Sequence, residues 1–114
     1  MLTVFTPTYN RAYILPKLYE SLCNQSATMS FEWLIVDDGS TDNTKMLVER
    51  WIKENRVLIR YFYQKNRGKM AAHNVGVCKS NGDFFICVDS DDRLSASALS
   101  DIATNVNKIN MGGG

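Results

Sequence analysis

Phe84-Phe85-Ile86-Cys87-Val88-Asp89-Ser90-Asp91-Asp92 sets an apolar run directly against three carboxylates packed into four residues. The run has the length and the aromatic and β-branched content of a buried strand. Carboxylates crowded at the mouth of such a strand repel one another and are poorly solvated. A cation between them relieves both problems, and clustered oxygen ligands favour Mg²⁺ or Mn²⁺. Mg²⁺ usually takes one or two protein carboxylates and completes its shell with water and substrate phosphates. The stretch therefore suggests a metal-bridged diphosphate. An acidic turn in which Asp92 or Ser95 caps a following helix accounts for the same residues without a metal.

Outward from that stretch, strand-like and helix-like segments alternate. Leu2–Thr6 is a short β-rich run that Pro7 is expected to stop. Ala12–Gln25 carries Ile14, Leu15, Leu18, Leu22 and Cys23 at helical spacing, with Pro16 in the first turns, where a missing N–H costs little. Phe31–Asp37 reads as a strand. Asn43–Asn55 returns to helical spacing, with Thr41 or Asp42 as its cap. Val57–Tyr63 alternates as a strand, Gly68–Lys79 reads as a helix, Asn81-Gly82 as a tight turn, and 95–107 as a final helix. This β-α-β-α-β-α-β-α order predicts an α/β fold, a mostly parallel sheet with helices on both faces. In such sheets the strand-to-helix loops share one edge, and ligands bind there. The polar clusters at 6–11, 37–42, 66–69 and 89–93 are thus expected to converge.

Composition narrows the function classes. With 114 residues, 45% hydrophobic and 22% charged, and a net charge of +1, the chain has the balance of one soluble domain. That balance argues against nucleic-acid binding driven by bulk charge. No stretch approaches the ~18 apolar residues of a membrane span, and the first residues lack the basic flank of a signal peptide. Cys23, Cys78 and Cys87 are odd in number and widely spaced, which reads as reduced, mostly buried core thiols in a cytoplasmic protein. A zinc site is disfavoured by the lack of CxxC and the single His73.

The loops carry the chemistry. In Thr6-Pro7-Thr8-Tyr9-Asn10-Arg11, Tyr9 offers a flat face for a base and Arg11 can reach a phosphate. In Val36-Asp37-Asp38-Gly39-Ser40-Thr41-Asp42, adjacent carboxylates cannot face the same way and should do separate jobs. One of them can accept a pyrimidine imide N–H. Gly39 permits a left-handed backbone or a close approach, and helix capping is the default for Ser40, Thr41 and Asp42. In Asn66-Arg67-Gly68-Lys69, a glycine beside two cations precedes a helix, an arrangement suited to anions. Ala71, Ala72 and Gly76 are small enough for tight packing on the sheet, and His73 reads as structural.

With these motifs in this order, the chain resembles the N-terminal half of a family 2 glycosyltransferase of GT-A (Rossmann-like) fold. The match covers nearly all of residues 1–107. The resemblance implies residues 1–110 as the nucleotide-sugar-binding part of a truncated domain; Met111-Gly112-Gly113-Gly114, whose glycines suit neither helix nor strand, reads as a disordered tail or an appended scar. It implies a nucleotide-diphospho-sugar donor, with UDP as the nucleotide, and a glycan or lipid-linked acceptor. Thr6, Pro7, Tyr9, Arg11, Asp38, Lys69 and Asp89 would bind the nucleotide: Tyr9 against the base, Asp38 on the uracil N3–H, Lys69 with Arg67 beside it near base or phosphates, and Asp89 toward ribose or sugar. Asp91 and Asp92 would hold Mg²⁺ or Mn²⁺. Inverting displacement at the anomeric carbon is the implied reaction, with the base expected beyond residue 114. His73 stands where the family often has Arg, which removes a basic contact.

Other readings explain less. A haloacid-dehalogenase phosphatase would want Thr or Val where Arg93 stands, and its acidic element on the first strand. A dinucleotide fold needs GxGxxG after the first strand, and neither that nor a P-loop is present. A non-catalytic nucleotide-sugar-binding module that needs a partner chain stands as the alternative. An incomplete sheet would also leave an edge open to homo-oligomer formation.

Overall fold

A computed structural model describes residues 1–25 and 30–102. The elements are β1 (Leu2–Thr8), α1 (Leu15–Cys23), β2 (Phe31–Asp37), α2 (Thr44–Glu54), β3 (Leu58–Tyr63), α3 (Lys69–Lys79) and β4 (Phe84–Cys87). The strands form one parallel sheet in the order β3-β2-β1-β4. From β1 to β2 to β3 the chain steps one way across the sheet, so right-handed crossovers put α1 and α2 on the same face. The return from β3 to β4 runs the other way and places α3 on the opposite face. The expected parallel sheet with helices on both faces is the fold observed.

Each face has its own core. Leu2, Val4, Trp33 and Ile35 meet Leu15, Leu18 and Leu22 of α1 and Val48 and Trp51 of α2. Tyr19, Trp51 and Trp33 stack, with centroids 4.3 Å apart for the closest pair. On the other face Phe5, Leu34 and Val36 meet Ala72 and Val75 of α3. The helix approaches so closely that a Cβ on Gly76 would lie 2.3 Å from Phe5 Cε1. No helix among the described residues is long and apolar enough to cross a membrane.

Several expectations need correction. Pro7 does not stop β1, which continues to Thr8 beside β2. Val88 N–H donates to the Phe5 carbonyl at 2.8 Å, so Phe5, and Pro7 two residues on, turn their backbone groups toward β4. The β1–β4 register ends at Phe5 opposite Cys87, and Pro7 has no N–H to offer the Val88 carbonyl, which accepts from the Thr6 hydroxyl instead. The run Phe84–Cys87 is only half-buried because β4 is an edge strand among the described residues. For the same reason Cys87 is exposed, and Cys78 is exposed on α3; Cys23 alone of the three packs, half-buried, against the first core, so the thiols are not mostly buried core residues. Helix α1 begins at Leu15, after a turn in which Ile14 and Leu15 N–H donate to the Arg11 carbonyl. Residues 98–102 of the final helix are helical; the rest of it and the 111–114 segment lie outside the described residues.

At the N-terminal end of the strands sits a buried polar cluster. The fully buried Glu32 accepts from Thr3 Oγ1 at 2.6 Å, from the Asn81 N–H at 2.8 Å and from Arg60 at 3.2 Å. Thr3 Oγ1 in turn accepts from Ser80 Oγ and the Gly82 N–H, both at 2.9 Å. The α3–β4 turn is thereby pinned to β1 and β2. Burial pushes the Glu32 carboxyl up, but the bonds from Thr3, Asn81 and Arg60 outweigh it and hold it below its ordinary 4.5.

Removing one partner of a buried pair leaves the others unsatisfied, so Glu32→Ala should cost about 3 kcal/mol in urea unfolding. A depressed folded pKa contributes stability that is full above 4.5 and lost as pH falls through the folded value. The gap between wild type and Glu32→Ala should therefore shrink on acidification below pH 4.5, and parallel pH curves would refute the linkage. Gly76→Ala should cost about 1–3 kcal/mol by overpacking against Phe5. An unchanged urea midpoint would contradict that close contact.

Candidate functional site

Because the strands are parallel, the loops that follow them gather at one edge. Beyond Phe5 and Cys87 the β1–β4 ladder has ended, and between these two strands the chain order reverses, where open α/β sheets bind ligands. A cleft of about 410 Å³ lies there, lined by Pro7, Thr8, Tyr9, Arg11, Asp38, Lys69, Ala72, Asp89, Ser90 and Asp91. Residues from all four expected loops converge on it.

The walls are tied together by side-chain bonds to backbone. Asn10 has a left-handed backbone (φ 51°), and its Oδ1 accepts from the Thr41 N–H at 2.7 Å and the Asp42 N–H at 3.3 Å. The Asn10 N–H donates to Ser40 Oγ at 2.8 Å, and Asp42 Oδ2 accepts from the Ala12 N–H at 3.1 Å. The other Asp42 oxygen serves Thr44 at the start of α2. Burial pushes the Asp42 carboxyl up; these bonds outweigh it and leave it below its ordinary range. Ser40 and Thr41 therefore clasp the first loop rather than cap α2, and Asp42 does both.

The adjacent carboxylates do face apart. Asp37, fully buried, accepts from the Ser40 N–H at 2.9 Å and from the Tyr61 hydroxyl. Asp38 accepts from Gln64 Nε2 at 2.8 Å, the Arg67 N–H at 2.8 Å and the Gly68 N–H at 3.0 Å. Burial pushes the Asp38 carboxyl up, yet the three donors hold it below the usual carboxylate range, so it is ionised at neutral pH. A carboxylate has about four lone-pair sites, so one direction is left for a ligand donor. Gly39 has φ +91°, and a Cβ there would lie 2.8 Å from Asn66 N. The close approach it permits is that of the third loop.

The acidic turn closes the cleft. Asp89, Asp91 and Asp92 are exposed and each offers an oxygen within 4.8 Å of the others. The Asp89 N–H donates to Asp92 Oδ2, and the Asp92 N–H to the Asp89 carbonyl, both at 3.0 Å. Asp92 thus turns back on its own loop instead of capping the next helix. An all-carboxylate set with this spacing fits a hard divalent cation such as Mg²⁺ or Mn²⁺.

Of the residues expected from sequence, Pro7, Tyr9, Arg11, Asp38, Lys69, Asp89 and Asp91 line the cleft. Tyr9 lines the cleft and is 44% exposed. Arg11 donates to the Tyr13 hydroxyl at 2.9 Å. Asp92 stands beside the cleft in the acidic turn. Thr6 does not line it: fully buried, its hydroxyl donates to the Val88 carbonyl and accepts from Trp33 Nε1. Arg67 turns its N–H to Asp38 and is not among the lining residues. His73 packs edge-on against Phe5 and Phe85. Sequence reasoning missed Asn10 and Gln64. The tolerance of Asn for a left-handed backbone in a strand-to-helix loop is a usable signal for the first; nothing local marks the second.

The sequence matches the profile described as "Glycosyl transferase family 2" over residues 3–112. It is 34% identical over 109 residues to the GalNAc(5)-diNAcBac-PP-undecaprenol beta-1,3-glucosyltransferase of Campylobacter jejuni, covering 94% of this chain and 35% of that protein. It is 31% identical over 107 residues to the poly(ribitol-phosphate) beta-N-acetylglucosaminyltransferase TarS of Staphylococcus aureus, covering 93% of this chain and 19% of that one. The crystal structure of S. aureus TarS 1-349 in complex with UDP-GlcNAc superimposes with a TM-score of 0.86 at 32% identity, over 96% of this chain and 32% of that one. Mannosyltransferase PcManGT from Pyrobaculum calidifontis, in complex with GDP-Man and Mn²⁺, gives a TM-score of 0.82 at 25% identity, over 90% of this chain and 31% of that one. The chain thus spans about a third or less of each of these relatives. By profile, identity and fold, the chain belongs to glycosyl transferase family 2.

Proposed function

We propose that residues 1–110 form the donor-binding part of a glycosyltransferase, holding a nucleotide-diphospho-sugar through a divalent cation. The observation that carries this reading is the composition of one cleft: a half-exposed tyrosine, two cations and the acidic turn around about 410 Å³. The base stacks on Tyr9, and the remaining lone pair of Asp38 accepts its imide N–H. Lys69 and Arg11 meet the phosphates, Asp89 lies toward the ribose or sugar, and Asp91 with Asp92 holds Mg²⁺ or Mn²⁺. The UDP-GlcNAc complex of TarS and the three-donor cradle that keeps Asp38 a pure acceptor support UDP as the nucleotide.

The reaction is displacement at the anomeric carbon with inversion, onto a glycan or lipid-linked acceptor. The undecaprenol-linked substrate named for the C. jejuni relative supports an acceptor of that kind. A divalent cation bound at the acidic turn supplies the Lewis acid that offsets charge on the departing diphosphate. Lys69 and Arg11 add fixed positive charge to the same leaving group. Asp37 and Asp38 are engaged in structural bonds, and we assign the general base to no described residue. Three free thiols and a nucleotide-sugar donor fit a cytoplasmic protein.

Calorimetric titration of UDP should give binding that Mn²⁺ strengthens in wild type and that falls to its metal-free level in Asp91→Ala. Binding that ignores both the metal and the substitution would remove the metal from the reading. Asp38→Asn should act differently. With the amide oxygen kept on Gln64 and Arg67, the N–H₂ faces both the Gly68 N–H and the imide N–H, costing about 1–3 kcal/mol, or roughly 5- to 160-fold in UDP affinity, with and without Mn²⁺. Unchanged affinity in Asp38→Asn would take Asp38 out of the base pocket.

A further inference from the structure

Where the β1–β4 ladder stops, one side chain takes over its task. Thr6 is the first β1 residue beyond the last registered pair, Phe5 opposite Cys87, and it is fully buried. Its hydroxyl donates to the Val88 carbonyl at 2.7 Å and accepts from Trp33 Nε1 at 2.9 Å. The direction of this relay is fixed by chemistry: an indole N–H only donates and a carbonyl only accepts, so the hydroxyl must pass its single proton to Val88. Trp33 is itself fully buried and held in the Tyr19–Trp51–Trp33 stack.

The Val88 carbonyl and the Asp89 N–H are the two ends of one planar peptide unit. Thr6 holds the carbonyl end, and Asp92 Oδ2 accepts from the N–H end at 3.0 Å. The peptide that leads into the acidic turn is therefore gripped at both ends, and its orientation sets where the turn presents its carboxylates. Hydrogen bonds in such a chain also polarise one another, so the Thr6 bond strengthens the Asp89 N–H as a donor to Asp92.

We infer that Thr6, oriented by Trp33, is a positioning residue for the divalent-cation site and touches neither nucleotide nor metal. Thr6 works from beneath the cleft, setting the geometry of Asp89, Asp91 and Asp92 rather than contacting the ribose or base. The inference rests on the proposed metal–nucleotide reading of that cleft. Groups that orient metal ligands from behind are typically worth roughly 10- to 100-fold in metal affinity.

The test compares Thr6→Val, which keeps the shape and strand preference but loses the hydroxyl, with Thr6→Ser, which keeps the hydroxyl. UDP is titrated at a series of Mn²⁺ concentrations, and thermal melts are followed by circular dichroism. Thr6→Val should raise the Mn²⁺ concentration needed for half-maximal UDP affinity by roughly 10-fold or more while leaving metal-free UDP affinity unchanged. Thr6→Ser should keep the wild-type metal requirement even where its melt is lowered. Trp33→Phe, which removes the orienting N–H, should shift the metal requirement in the same direction and gives an independent reading should Thr6→Val fail to fold. A wild-type metal requirement in a folded Thr6→Val or Trp33→Phe overturns the inference, as do equal shifts in Thr6→Val and Thr6→Ser. Absence of metal-dependent UDP binding in wild type itself overturns the donor-site reading instead.

Discussion

β1 and β4 run side by side only as far as Phe5 and Cys87, and the cleft exists because their hydrogen bonding ends there. Parallel neighbours normally exchange bonds along their whole overlap, which would leave no room between them for a ligand. Here β1 continues three residues past the last shared register position, and the second of them is a proline, which has no N–H to offer toward β4. The strands are free to part, and a side-chain hydroxyl rather than a backbone amide carries the last link across. Reversal of strand order puts the same gap between two helices that start on opposite faces, so α3 brings Lys69 to one wall while the first loop brings Tyr9 to the other.

The two ends of the sheet solve the problem of carboxylates in opposite ways. Glu32 is wholly buried and fully paired, with Thr3, Asn81 and Arg60 meeting its lone pairs, so its charge is stabilised by the protein alone. Asp89, Asp91 and Asp92 receive one described backbone N–H among them and stay exposed. Three like charges within 4.8 Å are tolerable while water screens them, and that tolerance falls as a ligand displaces the water. A cation entering with a diphosphate reverses the sign of that argument. The buried end thus anchors the α3–β4 turn, and the exposed end holds its charge in reserve for a binding partner.

Much of the fold was legible because it depends on periodicity and chain direction. Alternating segments and four polar loops were enough to infer a parallel sheet with a shared ligand edge, and most of the expected cleft residues do line it. What could not be read depends on which strand lies at an edge and on contacts between distant segments. The apolar run Phe84–Cys87 looks buried in sequence, yet among the described residues β4 has a neighbouring strand on one side only, and Cys87 is exposed with it. Thr6 sits beside Pro7 in a loop-like motif and so reads as a ligand contact. Its true partners, Trp33 and Val88, are 27 and 82 residues away. Gln64 is similarly silent until the end of β3 is placed next to that of β2, where its amide reaches Asp38.

The loops that form the cleft are held by side chains bonding to one another's backbone rather than by regular structure. Asn10, Asp37, Asp38 and Asp42 between them accept from the amides of Thr41, Ser40, Arg67, Gly68 and Ala12. Each such bond satisfies a group that would otherwise need water, and each removes freedom from a loop before a ligand arrives. Ordering a loop on binding subtracts directly from affinity, so a cleft fixed in advance keeps more of its contact energy. This also explains why carboxylates and a carboxamide, rather than apolar side chains, dominate the loops: only they can accept several amides at once. In Asp38 the two demands meet, because the bonds that brace the third loop are the same ones that keep the carboxylate ionised and its last lone pair aimed.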